Sequence, residues 1–172
     1  MYQFGTGVRH YLFVKKTVTD QYKQTATGGI AEQSIYGWET DDMSFISLVA
    51  IVVDSYDSAI RFFVDVLGFE LAEDVPSRTN DGRPKRWVVV RPPNAETGIL
   101  LAQADGPVQS KVVGQQVAGR VGFFLRVDDF EATYKRMVAA SVEFVSLPRT
   151  EPYGTVAVFK DIAGNRWDLL GT

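Results

Sequence analysis

The residues best equipped for chemistry in this chain are its acids. Asp54 and Asp57 stand close together, Asp128 and Asp129 are adjacent, and Asp168 stands on its own in a later segment. Paired carboxylates are common equipment for general acid–base catalysis, one group held protonated and the other ionised. Other nucleophilic chemistry is closed off. Cysteine is absent, which removes thiolate nucleophiles, disulfides and zinc–thiolate sites. The single histidine, His10, lies far upstream of every one of these acids, so no Ser–His–acid arrangement can be assembled from the remainder of the chain.

The acid pairs have a simpler origin in an internal repeat. The stretch VDSYDSAIRFFVDVLGFEL, residues 53–71, recurs in degraded form as VDDFEATYKRMVAASVEFV, residues 127–145. Val53, Asp54, Tyr56 and Asp57 fall on Val127, Asp128, Phe130 and Glu131 at one constant offset, and Tyr56, Ile60, Phe63 and Val64 fall on Phe130, Tyr134, Met137 and Val138. Both copies put their acids where a helix begins, at the cap and in the first turn, where backbone N–H groups and the positive end of the helix dipole favour a carboxylate. The repeat therefore reads as scaffold and the paired acids as helix starts.

The elements that flank each copy follow the same programme. Phe45 to Val53 is a nearly continuous apolar run, read as a strand buried on both faces. Ser55 reads as an N-cap, the stripe Tyr56, Ile60, Phe63, Val64 and Leu67 has helical spacing, and Gly68 stops the helix. A strand at Phe69 to Glu73, a loop from Pro76 to Pro84, and strands at Arg86 to Arg91 and Thr97 to Gln103 complete a β-α-β-β-β module. A polar connector from Asp105 to Ala118 leads to the second module: strand Arg120 to Val127, a helix from an Asp129 cap through Ala140, then strands Val142 to Leu147, Thr155 to Phe159 and Arg166 to Leu170. The turn Asp161 to Asn165 uses Gly and Asn for positive φ. The fold class is thus α+β, two tandem βαβββ modules forming an open half-barrel around a central cleft.

Residues 1–44 differ in composition, rich in Thr, Gln, Gly and Tyr, with a strand-like run at Arg9 to Val14. They form an N-terminal extension, either a strand or hairpin or a flexible arm. Residues 45–172 form the domain, with modules at about 45–104 and 119–170. A formal charge of -3 with no basic run longer than two residues carries no electrostatic footprint for nucleic acid. No apolar run approaches the roughly 20 residues of a membrane span, so no membrane role is assigned and a cytoplasmic protein is the default expectation.

The paired modules and their motifs resemble the vicinal oxygen chelate superfamily of glyoxalase I, bleomycin-resistance proteins, extradiol dioxygenases and fosfomycin-resistance enzymes. The resemblance runs through Asp54-Ser55-Tyr56-Asp57, Leu67-Gly68-Phe69, Val127-Asp128-Asp129, Pro152-Tyr153-Gly154 and Gly164-Asn165-Arg166-Trp167-Asp168-Leu169. It implies one divalent ion held by His, Glu or Gln side chains from both modules and polarising vicinal substrate oxygens. It also implies a homodimer. Here the first ligand position carries Leu48, its partner in the second module Gly122, and the closing position of module one Leu100 or, one residue on, Leu101. Only Asp168 matches a ligand position, as a shorter acid. Gln103, Glu96 or His10 would have to be recruited to complete a site.

Strand alternation from Leu48 turns Leu48, Ala50 and Val52 toward the cleft from one side and Gly122, Phe124 and Arg126 from the other. Asp168 is expected either in a salt bridge to Arg126 or Arg91 or in a ligand-binding or acid–base role. Tyr153 is placed at the cleft mouth, where a phenol can stack and hydrogen-bond, or as a turn aromatic packed on the sheet. Trp87 is a candidate cleft wall, Trp167 shares the helix-side parity of Leu169, and Gln103 ends its strand near the cleft. The expected function is binding of a small, partly apolar molecule in the cleft, without the family metal and with no catalytic residues assigned. A divalent metal is the one cofactor left open. The alternatives are a metal-dependent lyase, isomerase or dioxygenase with replaced ligands, and a purely structural or regulatory dimer module.

Overall fold

The computed structural model describes residues 44–172; His10 and the strand-like run at residues 9–14 lie outside them. The first module runs β1 (Leu48–Val53), α1 (Tyr56–Arg61), β2 (Glu70–Arg78), β3 (Pro84–Arg91) and β4 (Gly98–Gln103). A short helix α2 (Gly106–Ser110) opens the connector, and the second module follows as β5 (Val121–Arg126), α3 (Phe130–Ala139), β6 (Arg149–Glu151), β7 (Gly154–Lys160) and β8 (Arg166–Gly171). Each module builds one four-stranded sheet, in the orders β1-β4-β3-β2 and β5-β8-β7-β6, with a parallel β1–β4 or β5–β8 pair and antiparallel neighbours. This is the duplicated, unclosed α+β half-barrel architecture.

The helix signals act as read. Ser55 Oγ accepts from Ser58 N at 3.5 Å and Asp129 Oδ1 from Ala132 N at 2.9 Å, each supplying a cap for an otherwise unpaired donor. Gly68 ends the first helix at φ 78°, a conformation that costs glycine least. Between the last turn of α1 and Gly68 the chain widens into a π-helical turn, Phe62–Val66, in which Leu67 N donates to Phe62 O at 3.1 Å. Phe62 and Phe63 are both buried there, so the widened turn keeps two adjacent aromatics on the core side.

Five expectations change. β1 starts at Leu48, three residues later than read, and Phe45 and Ile46 are 61% and 68% exposed. It is also covered on one face only: Ile51 and Val53 are core while Ala50 is exposed. β2 continues through Pro76 to Arg78, which its position at the sheet edge permits, because an edge strand does not need every N–H. The stretch read as a strand at 142–147 makes only one isolated bridge, Phe144 to Phe159, and the edge strand is β6 instead. In the 161–165 turn only Gly164 takes positive φ; Asn165 contributes its side chain.

The helix-side faces of both sheets share one apolar cluster. Ile51, Val53, Val88, Val90, Ile99 and Leu101 enter it from the first sheet and Leu125, Ala157, Phe159, Trp167 and Leu169 from the second. Phe63 bridges the modules, its ring 5.8 Å from that of Trp167, and Arg136 Nε donates to Val66 O at 3.3 Å. The modules of one chain therefore join through their helix sides, which leaves the other face of each sheet on the outside of the unit.

Candidate functional site

The open face of the first sheet follows from the register. Leu48 and Ala50 pair with Gly98 and Leu100, and Val89 pairs with Leu100 from the other side. This settles the ambiguous ligand position: Leu100 lies on the open face and Leu101 is 1% exposed in the core. A side chain at Gly98 would meet Leu48 Cδ2 and Val89 Cγ1 at 3.0 Å and Arg91 Nε at 3.5 Å, so the glycine lets those three close over the strand. Val75 pairs with Trp87 on the same face and is 48% exposed.

At the end of this face lies a groove of about 230 Å³ lined by Trp87, Leu100, Ala102, Gln103, Lys85 and Gln109, among others. The half-buried Trp87 lines this groove. Gln103 serves the scaffold at its amide end, donating from Nε2 to Asp54 O at 3.0 Å. The rim is set by an ion-pair net: Arg86 binds Asp74 and Asp57 at 2.5 and 2.6 Å and stacks over Tyr56, whose hydroxyl donates to Arg86 O at 2.9 Å. Asp57 is therefore occupied structurally. A larger hollow of about 390 Å³ lies elsewhere, between Phe62 and the 161–164 turn, and two of its three charged members, Lys160 and Glu143, pair with each other at 2.6 Å.

The open face of the second sheet centres on Asp168, flanked in register by Phe124 and Val158. Phe124 is 66% exposed, and Arg126 is exposed beside it. Asp168 is half-buried, and its Oδ1 is fully covered with no hydrogen-bond partner. Burial pushes the carboxyl up from its ordinary value, and the charge of Arg149 acts the other way as the smaller effect. Neither expected arginine supplies a salt bridge. Arg126 and Arg91 take no part in an ion pair of the described residues, and the nearby cation is Arg149, itself held by Glu151 at 2.8 Å. Arg149 arrives on β6, whose strand pairing with β7 was not legible in the chain. Tyr153, in the β6–β7 turn, is 57% exposed and close enough to Arg149 to interact with it electrostatically.

The connector between modules adds two contacts that no motif signals. Gln116 lies against the outer edge of β1, accepting from Val52 N at 2.7 Å and donating to Ala50 O at 3.1 Å, so one side-chain amide stands in for a neighbouring strand. Val117 sits over Gly122, where an added Cβ would come within 2.8 Å of Val117 Cγ1. Gly122 is also the extra residue of a bulge between Val121 and Phe123.

The model for the glyoxalase, bleomycin resistance protein and dioxygenase superfamily matches residues 45–169. The chain belongs to this superfamily. An uncharacterised protein of Shewanella frigidimarina is 48% identical over 123 residues, 71% of this chain and 89% of its own length. Among solved structures, UcmS2 is 32% identical with a TM-score of 0.63, covering 74% of this chain and 98% of its own. TnmS3, an antibiotic binding protein from Streptomyces sp. CB03234, is 29% identical with a TM-score of 0.60, covering 76% of this chain and 97% of its own.

The residues present do not fit the metal that the superfamily resemblance implies. Leu48 and Leu100 offer no donor, and Gly122 is roofed by a valine side chain. Among the described residues no three His, Cys, Asp or Glu side chains converge, whereas a divalent cation needs about three or more protein or substrate donors. Asp168 alone remains from that set. Glu96 is exposed on the β3–β4 turn.

Proposed function

We propose that this superfamily member binds a small, partly apolar molecule against the open sheet faces and holds it without chemical change. The observation that carries the reading is that Leu48, Leu100 and Gly122, the last beneath Val117, offer no donor at the positions where the resemblance implies metal ligands, on faces that keep accessible aromatic and aliphatic surface. Such a surface favours a ligand that is flat and largely apolar, because desolvating Trp87, Phe124 and Leu100 contributes roughly 25 cal/mol per Å² of apolar area buried. The few polar groups, Asp168, Arg126, Tyr153 and Gln103, then orient the ligand rather than transform it. The likeness to an antibiotic binding protein supports the same class of ligand. Among the described residues no helix is long and apolar enough to cross a membrane.

The experiment is a thermal-shift screen of the full chain against flat aromatic natural products and apolar controls, run beside a divalent-metal series. Binding at about 100 times Kd raises stability by about 2.7 kcal/mol, a shift of several degrees. Shifts with aromatic compounds and none with metals are expected. Stabilisation by a metal ion, lost in Asp168→Ala, would instead establish the metal-dependent enzyme reading. No shift with any compound would favour a structural or regulatory module.

A further inference from the structure

One charged side chain of the first open face is anchored at its base and left without a partner at its tip. Arg91 closes β3, and its Nε is fully covered with no hydrogen-bond partner. Gly98 leaves the room for this: a Cβ there would meet that nitrogen at 3.5 Å and the Leu48 and Val89 side chains at 3.0 Å. Nε is the one nitrogen of the side chain that is covered, so both Nη atoms reach the surface, and no ion pair or hydrogen bond among the described residues holds them. Glu70 stands across from Arg91 in the β2–β3 register, exposed and unbonded to it. The arginines that hold the scaffold of this module are provided for differently: Arg83 binds Asp81 and Asp105, and Arg86 binds Asp74 and Asp57. Among the described residues every other arginine has a carboxylate partner or is exposed, and Arg91 alone is half-buried without one.

A guanidinium held this way is costly to the free chain and prepared for a ligand. Covering part of a cation loses solvation that a paired anion returns. The anchored stem has already given up the rotamer freedom that a loose surface arginine loses on binding. Two uncovered Nη atoms on one planar fork match the two oxygens of a carboxylate, which accepts from both at once. The surroundings on this face are apolar: Leu48, Ala50 and Leu100 lie on it, and Trp87 stands four residues back along β3, about 13 Å away. We propose that Arg91 sets the polar end of the ligand, receiving the carboxylate of a flat aromatic acid whose rings lie on the apolar strip that leads toward Trp87. Arg91 so placed selects acids among the flat ligands of the reading above, on which this role rests.

Titration calorimetry of the full chain with naphthoate and with naphthamide, its neutral counterpart of the same shape, tests this role. The carboxylate should bind roughly tenfold or more tightly than the amide, as a charge-assisted pair does. Arg91→Met keeps an apolar stem and removes the fork, and should bring that ratio to about one, while Arg91→Lys keeps the charge without the fork and should fall in between. Circular dichroism establishes that each variant is folded. A second readout needs no variant. Phenylglyoxal modification of the wild-type arginines, followed by peptide mass spectrometry, should show Arg91 protected by naphthoate more than by the same concentration of naphthamide, with the exposed Arg61 reacting alike in both. Equal binding of the two compounds by the wild type, a ratio that survives in folded Arg91→Met, or an Arg91 as reactive with naphthoate bound as without it would each overturn the role of Arg91 and leave ring binding standing. Binding of neither compound would overturn both the role and the reading it rests on.

Discussion

Asp161 offers the sharpest test of how the second face is built. This carboxylate is 5% exposed and accepts from four donors: Ala163 N and Asn165 N at 2.9 Å through Oδ1, and Asn165 Nδ2 and Trp167 Nε1 at 3.0 Å through Oδ2. It ties the turn to the first residues of β8 and so sets the β7–β8 register that brings Asp168 opposite Val158. Replacing it by alanine leaves all four donors without a partner. Ala163 N is only partly buried and can reach water, but Asn165 and Trp167 are 1% and 3% exposed and their three donors cannot. At about 1–1.5 kcal/mol for each buried donor left unsatisfied, Asp161→Ala should lose about 3–5 kcal/mol. For a chain of this size that is a fall in Tm of roughly 10–20 °C. Asp161→Asn keeps one acceptor oxygen but turns an amide N–H₂ toward a donor, and should lose about half as much. Chemical denaturation followed by circular dichroism measures both, and in a Trp167→Phe background the loss from Asp161→Ala should shrink by about 1 kcal/mol. A loss below about 1 kcal/mol for Asp161→Ala, or no coupling to Trp167, would refute the assignment of this carboxylate as the organiser of the turn.

Three further outcomes are expected. Trp87→Ala should weaken binding of an aromatic ligand about tenfold, measured by titration calorimetry, while changing the stability of the unliganded chain far less than a core Trp167→Ala. The Asp168 carboxyl is held above its ordinary value by burial, so its ionised form is the disfavoured one in the folded chain. Its contribution is then neutral below the unfolded carboxylate range and becomes destabilising as pH rises through it; Asp168→Asn should stabilise the chain at neutral pH and leave it unchanged below about pH 3. Denaturation curves across that range check this, and an equal effect at every pH would contradict it. Finally, Gln116→Leu should free Val52 N and Ala50 O on the edge of β1, speeding hydrogen exchange at Val52 by roughly tenfold while the buried amides of β3 keep their protection.

Much of the fold was legible because its determinants are local. The caps at Ser55 and Asp129, the stop at Gly68 and the helical spacing of Tyr56, Phe63 and Leu67 are all set within a few residues, and the repeat showed that they occur twice. Edges were less legible. Pro76 reads as a loop residue unless its strand is known to be outermost, and β6 is three residues whose only support is pairing with β7. The candidate site was legible in parity and not in partnership. Alternation placed Leu48, Ala50, Phe124 and Asp168 on open faces, but one of the two readings of Asp168 looked to Arg126 or Arg91 for a salt bridge, where the short edge strand β6 brings Arg149 near it.

The sequence by itself determined two like modules and the faces their strands present, since both depend on residue type and on a period of two or of 3.6. The tertiary structure alone decided which faces meet. Phe63 meets Trp167, so the modules of a chain join through their helix sides; Val117 roofs Gly122 and Gln116 closes the edge of β1, contacts made by a connector with no periodicity to read. Burial of a shared apolar core across the chain decides those contacts, and it is a property of the folded whole that no local spacing encodes.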